Sequence, residues 1–303
     1  MFRNLILTMA VLLCGTPVFP AEEIIISVPR TLSSLPVYEL NGKTIAGYET
    51  TVRFYDDHIL AMAEFVSGRS PILMTGFSQG LSYYRSSGKT VLLANPVWGL
   101  SSLVTAEQSL QQLSDFKGKT ILVPFANSPL DVQMRMILGK EVPGDQIRIG
   151  YSPIPQQVPL LLAGKAEGGC LPEPFATQFV MEKKGKRIFP FAQKWAEINN
   201  GERRTPQVSL FAKSDFAASH KAYCSALIDE LQKNCLRIAA DKEKLSEKYA
   251  AIFKIDKRVI AESLGYILFE MPDDTTERKL VRDYQLFIGD KSVINDTFFR
   301  NQK

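Results

Sequence analysis

The stretch DFKGKTILVPFANSPLD, Asp115 to Asp131, constrains the fold of this chain more than any other. Lys119 to Pro124 is a short β-rich run of the kind that fills the middle of a parallel sheet, and Asp115 to Gly118 before it reads as a polar crossing. A loop follows and ends in a helix start. Ser128 is a good N-cap, Pro129 fits the first helical position, and Asp131 sits where a capping-box carboxylate belongs. The first amides of such a helix lack intrahelical partners and point toward the end of the preceding strand, a seat for an anion or a polar ligand atom. The same cap also satisfies the helix with no ligand present.

The rest of the chain repeats this unit. Glu23 to Pro29, Tyr48 to Tyr55, Pro71 to Met74 and Thr90 to Ala94 read as strands, with a helical pattern over Ile59 to Val66 and another helix through Leu81 to Tyr84. Ser101 to Thr105 is a further strand, and Glu107 to Leu113 a short helix. Beyond the capped helix, strands are expected at Gln146 to Tyr151, Ala166 to Leu171, Arg187 to Phe191 and Val208 to Ala212. Such alternation predicts mostly parallel sheets covered by helices on both faces. From Phe216 onward the pattern becomes helical, with Tyr223, Leu227 and Leu231 recurring at four-residue spacing in a broad apolar stripe. The 303 residues, 45% hydrophobic and 22% charged, are enough for two domains of ordinary size.

The amino terminus differs in character. Arg3 precedes an apolar run from Leu5 to Cys14, and Pro17 and Pro20 break it before Ala21, which reads as a secretory signal peptide over residues 1–21. A lipid anchor on Cys14 is disfavoured, because Leu13 occupies a place that such anchors reserve for a small residue. No later window is apolar for long enough to span a bilayer. Removing Arg3 lowers the net charge from +4 to +3, too mild and too dispersed a balance for a nucleic-acid partner. Three cysteines then remain, Cys170, Cys224 and Cys235. The last two lie on one predicted helix about 16 Å apart, beyond disulfide reach, so buried thiols in a Gram-negative periplasm are expected.

The chemistry missing from the sequence is informative. With only His58 and His220, a histidine-built metal site has almost no material, and both read as ordinary surface residues. No nucleophile elbow, phosphate loop or dinucleotide glycine pattern is present, no acid–base pair emerges, and no cofactor is implied. Polar and aromatic loops on an α/β frame without such groups point to recognition without turnover.

At this point the chain resembles a family. DFKGKTILVPF at Asp115 to Phe125, LLLAGKAEGGCLPEPFAT at Leu160 to Thr177, the Trp98-Gly99 pair and the loop after Met74 resemble the solute-binding proteins of ABC importers, in particular the group that binds nitrate, sulfonates and thiamine precursors. Gly168-Gly169-Cys170 departs from the small and acidic residues commoner there. The resemblance implies a type II periplasmic-binding-protein fold, two α/β lobes with a ligand cleft between them and a largely helical C-terminal tail. The lobes are expected at 22–113 with 216–303, and at 114–215, joined by crossings near Ser114 to Lys119 and Phe211 to Asp215. Closure of the cleft around ligand would follow as a hinge motion.

The implied ligand contacts are residues of strand-to-helix loops. In the first lobe these are Ser34, Thr75, Phe77, Ser78 and Trp98; Ser34 and Ser78 would offer hydroxyls or helix caps, and Phe77 and Trp98 would stack on a planar ligand or wall the cleft. In the second lobe they are Asn127, Ser128, Glu173 and Phe175. A Glu173 carboxylate entering the cleft would favour a cationic or NH-bearing heterocycle over a bare oxyanion, whereas a Glu173 that caps its own helix says nothing about ligand. The partners implied are a small solute, either a sulfonate-like anion or a small heterocycle, and an inner-membrane ABC permease, with the binding protein a monomer. A periplasmic sensory subunit, or a thiamine-pyrimidine or menaquinone-pathway enzyme on the same fold, are the alternatives to a non-enzymatic binding component.

Overall fold

The computed structural model describes residues 22–300 apart from 57, 127, 145, 184 and 291–293. The expected signal peptide, Cys14 and Asn127 lie outside the described residues. The first strands are β1 (Glu23–Pro29), β2 (Lys43–Ile45), β3 (Tyr48–Tyr55), β4 (Ile72–Gly76) and β5 (Thr90–Gly99). Then come β6 (Ser101–Thr105), β7 (Thr120–Val123), β8 (Arg148–Tyr151), β9 (Gly168–Pro172) and β10 (Lys186–Pro190), followed by β11 (Val208–Lys213) and β12 (Leu268–Phe269). They form two sheets, one of seven strands in the order β12-β5-β11-β4-β1-β3-β2 and one of five in the order β10-β6-β9-β7-β8. Each has a parallel set, β3-β1-β4 with antiparallel strands on both sides in one, and β8-β7-β9 with antiparallel strands beyond β9 in the other. Parallel strands buried on both faces need continuous apolar runs, and Ile72 to Met74 and Ile121 to Val123 supply them.

Helices cover both faces. In the first half they are α1 (Leu35–Tyr38), α2 (His58–Val66), α3 (Phe77–Ser87), α4 (Pro129–Glu141), α5 (Ile154–Leu162), α6 (Phe175–Glu182) and α7 (Phe191–Ile198). After β11 come α8 (Ser214–Ser219), α9 (Lys221–Ala240), α10 (Lys242–Phe253), α11 (Lys257–Ser263) and α12 (Asp274–Phe287). The α4 start matches its sequence signature: Ser128 Oγ accepts from Asp131 N at 3.2 Å, with Pro129 behind the cap. On α9 the expected stripe of Tyr223, Leu227 and Leu231 is buried against the seven-stranded sheet. Cys170, Cys224 and Cys235 are buried free thiols.

The sheet change falls elsewhere than expected. β5 runs on through Pro96 to Gly99, and after Leu100 the chain enters the five-stranded sheet as β6, paired antiparallel with β9 and β10. Residues 101–113, placed with the first lobe from sequence, therefore begin the second sheet. Asp115 to Gly118 is no crossing but a tight turn inside that lobe, where the Asp115 carboxylate accepts from Gln111 N (2.8 Å) and Gln112 N (3.1 Å). The return also comes earlier, since β11 already pairs with β4 and β5 of the first sheet. Local sequence marks Ser101 to Thr105 as a strand, but its partners, from Gly169 to Pro190, lie far along the chain, where local pattern gives no register.

Candidate functional site

The strand registers bring the carboxyl ends of both parallel centres to one place. Gly76, the last residue of β4, lies opposite Val208, which also faces Val97 of β5. A few residues later Ser101 opens β6 opposite Pro172, the last residue of β9. The crossing is clamped by Glu173 N donating to Leu100 O (2.8 Å) and Thr205 N donating to Trp98 O (2.9 Å). Ligands of open α/β sheets bind outside the carboxyl ends of the strands, and here two such edges share a crossing.

On the first-lobe side, the turn after β1 is knitted by hydroxyls. Thr31 Oγ1 lies 2.8 Å from Ser33 Oγ and 3.1 Å from Ser34 Oγ, and Ser34 Oγ donates to Pro29 O at 2.9 Å. Ser34 is fully buried, so its hydroxyl shapes the turn, and Thr31 is the hydroxyl at its half-buried edge. Beside it Arg30 pairs with Asp56 (Nε to Oδ1, 3.4 Å) at the end of β3. Thr75 is also fully buried, and its Oγ1 lies 3.4 Å from Nδ1 of His58 at the start of α2. Ser78, in the first turn of α3, is exposed.

Two aromatic expectations are corrected. Phe77 is 2% exposed and sits in a cluster of rings, with centroids 6.5 Å from Tyr284 and 6.3 Å from Phe298. Trp98 is completely buried, and its Nε1 donates to Glu270 O at 3.1 Å. Both belong to the core on one face of the seven-stranded sheet and wall no cleft. Each stands at a strand end, where the face that a side chain takes follows from strand pairing that sequence does not display.

On the second-lobe side, Ser128 is buried as the α4 cap and Asp131 behind it pairs with Arg135 (2.9 Å), which also donates to the Tyr151 hydroxyl (2.7 Å). Glu173 takes the structural role of the two weighed for it. Its Oε2 accepts from Thr177 N (3.2 Å) in the first turn of its own helix, and its Oε1 accepts from Arg187 (2.8 Å), so no bare carboxylate enters the cleft. Phe175, two residues on, is 38% exposed.

Sequence reasoning passed over several neighbours. Phe125 after β7 is 57% exposed and Tyr151 at the end of β8 is 49% exposed, while Ile59 and Leu60 at the start of α2 are exposed likewise. Singly exposed apolar residues mean little, but these cluster at the carboxyl ends of the parallel strands of both sheets. The signal for them was position, a large side chain just past a strand, and it holds for His58 as well.

Arg30 and Arg135, near these loops, are paired with carboxylates, as is Arg187 at the loop after β9. Burial pushes all three thiols up, Cys235 to about 12 and Cys224 to about 11, which leaves none of them a nucleophile at neutral pH. Among the described residues no group of three or more His, Cys, Asp or Glu side chains is placed to hold a metal ion, and no helix is long and apolar enough to cross a membrane. The arrangement of hydroxyls, one imidazole and exposed rings around charge-paired arginines can bind and orient a small molecule.

Comparison with known proteins accords with this geometry. The model of the NMT1-like family matches residues 75–253. No curated protein matches the sequence. Among solved structures, an ABC transporter from Parabacteroides distasonis superposes with a TM-score of 0.74 at 17% identity, covering 92% of this chain and 99% of that one. The periplasmic aliphatic sulphonate binding protein SsuA from Escherichia coli gives 0.72 at 13% identity over 93% and 97% of the two chains. The periplasmic nitrate-binding protein NrtA from Synechocystis gives 0.61 at 13%, over 80% and 69%. Matched by the family model over more than half its length, the chain belongs to the NMT1-like family and has the two-lobed α/β fold of these periplasmic binding proteins.

Proposed function

We propose that the protein binds a small solute in the periplasm and hands it to the permease of an ABC importer, by closure of its two lobes and without chemical turnover. The observation that carries this reading is the meeting of both sets of parallel-strand carboxyl ends at one crossing. The solute would lie between the turn after β1 and the starts of α2 and α3 on one side, and the loops after β7 and β9 on the other. Thr31, His58, Ser78 and Phe175 are the contacts we assign to it, with Asn127 an expectation from sequence alone and Ser128 beneath them as the buried α4 cap.

Of the two ligand classes, the residues favour a planar heterocycle over a sulfonate-like anion. Arg30 and Arg135 are each engaged by a carboxylate, whereas Phe125, Tyr151 and Phe175 offer exposed ring faces. Thermal melting of the chain from Glu22, against nitrate, alkyl sulfonates, thiamine pyrimidines, flavins, nucleosides and polyamines, tests both parts. Ligand at a hundred times its Kd stabilises by about 2.7 kcal/mol, which raises Tm by roughly 5 °C or more in a chain of this size. A rise with a heterocycle alone is the expected result; a rise with the oxyanions alone would overturn the ligand class, and no rise with any of them would count against solute binding.

A further inference from the structure

Two seams join the lobes, and they are built of different material. On one flank α7 of the second lobe lays Trp195 against α12 of the first, with ring centroids 5.9 Å from Tyr284 and 4.6 Å from Phe287. Trp195 is 2% exposed, so parting this seam would put three rings into water. On the other flank α6 packs against α11, beside a groove of about 690 Å³ whose walls include Thr177, Met181, Lys242 and Glu262.

Arg187 and Tyr266 meet in the wall of that groove. The guanidinium carbon of Arg187, from β10 of the second lobe, lies 3.5 Å from the ring centroid of Tyr266, in the first-lobe segment between α11 and β12. The guanidinium is held in place from its own side. Nη1 donates to Glu173 Oε1 (2.8 Å) and to Ser102 Oγ, and Nη2 donates to Thr177 Oγ1 (3.0 Å). With its plane fixed by these bonds, little conformational freedom is lost when it seats on the ring. Glu173 also donates its backbone N–H to Leu100 O, at the point where the chain passes between sheets, and Phe175 on the cleft rim is two residues away.

We propose that Arg187 and Tyr266 form a latch that sets the angle between the lobes, with Arg187 a positioning residue for the cleft and no ligand contact of its own. The proposal rests on the solute-binding reading for its purpose. A stack of this kind is worth a factor of roughly 2 to 30 in the ratio of stacked to unstacked forms. A solute seated against Phe175 would press on the same helix start that holds the guanidinium, which couples occupancy to lobe angle.

The test is small-angle X-ray scattering of the ligand-free chain from Glu22, as wild type, Tyr266→Phe and Tyr266→Leu, with circular dichroism and melting to establish folding. Phenylalanine keeps the ring face and leucine keeps only bulk. A larger radius of gyration for Tyr266→Leu, with Tyr266→Phe superposing on wild type, is the expected result. A folded Tyr266→Leu whose scattering matches wild type, or a Tyr266→Phe that expands as much as the leucine variant, would overturn the latch. Should the leucine variant fail to fold, Arg187→Lys decides by the same readings, because it keeps a charge beside Glu173 and loses the planar stack. The measurement needs no ligand, so a panel in which nothing binds would defeat the solute-binding reading while the latch is judged separately.

Discussion

Glu277, in the first turn of α12, is 4% exposed and accepts a hydrogen bond from Asn95 N at 2.5 Å. Burial pushes its carboxyl up to about 7, while Arg300, the Asn95 amide and Arg278 pull it down and Asp274 adds to the rise. A carboxyl with a raised folded-state pKa takes up a proton on folding between about pH 4.5 and 7, so stability falls as pH rises through that window. Glu277→Gln keeps the oxygen that Asn95 needs and removes the titration. Urea unfolding should show wild type losing roughly 3 kcal/mol relative to Glu277→Gln between pH 4.5 and 7.5, and parallel pH profiles would contradict the assignment. What sequence reveals at this scale is the residue whose partner is near in the chain. The Ser128 cap is satisfied three residues away and was legible. Glu173 could be read as a helix cap, but its other partner, Arg187, comes from a different strand and carries no local mark. His58, following Asp56 and Asp57, looked like surface until β3 and β4 set it beside Thr75.

At the scale of elements, α3 lies against β11 because Gly80 has no side chain. A Cβ there would stand 2.0 to 2.6 Å from the Phe211 ring, which is completely buried and has nowhere to move. Gly80→Ala should cost about 1–3 kcal/mol in denaturant unfolding. Gly139 is the contrast, exposed in α4 with nothing within 4 Å of an added Cβ, and Gly139→Ala should raise stability by about 0.5–1 kcal/mol. Similar effects for the two would mean that α3 does not pack on β11 as described. Strand and helix types were largely readable, because Ile72 to Met74 and the Tyr223, Leu227, Leu231 stripe carry their own periods. Which sheet a strand joins was not readable. Ser101 to Thr105 is buried throughout, and only its pairing with β9 and β10 moves the lobe boundary back to Leu100.

The whole molecule is two parallel-centred sheets whose carboxyl ends share a crossing, tied by the Trp195 seam on one flank and by Arg187 on Tyr266 on the other. That frame was legible from the alternation of strands and helices and from the family resemblance. The orientation of Phe77 and Trp98, both turned into the core, was not, because it depends on strands that meet only in the folded chain. The central claim is that one solute is held by both lobes at once, and hydrogen exchange with and without the solute that raises Tm tests it most directly. Binding should slow exchange together in residues 30–34, 58–60 and 76–79 of the first lobe and 125–128 and 173–177 of the second. Protection confined to one lobe, or centred on the groove between α8, α9 and Phe299, would contradict it.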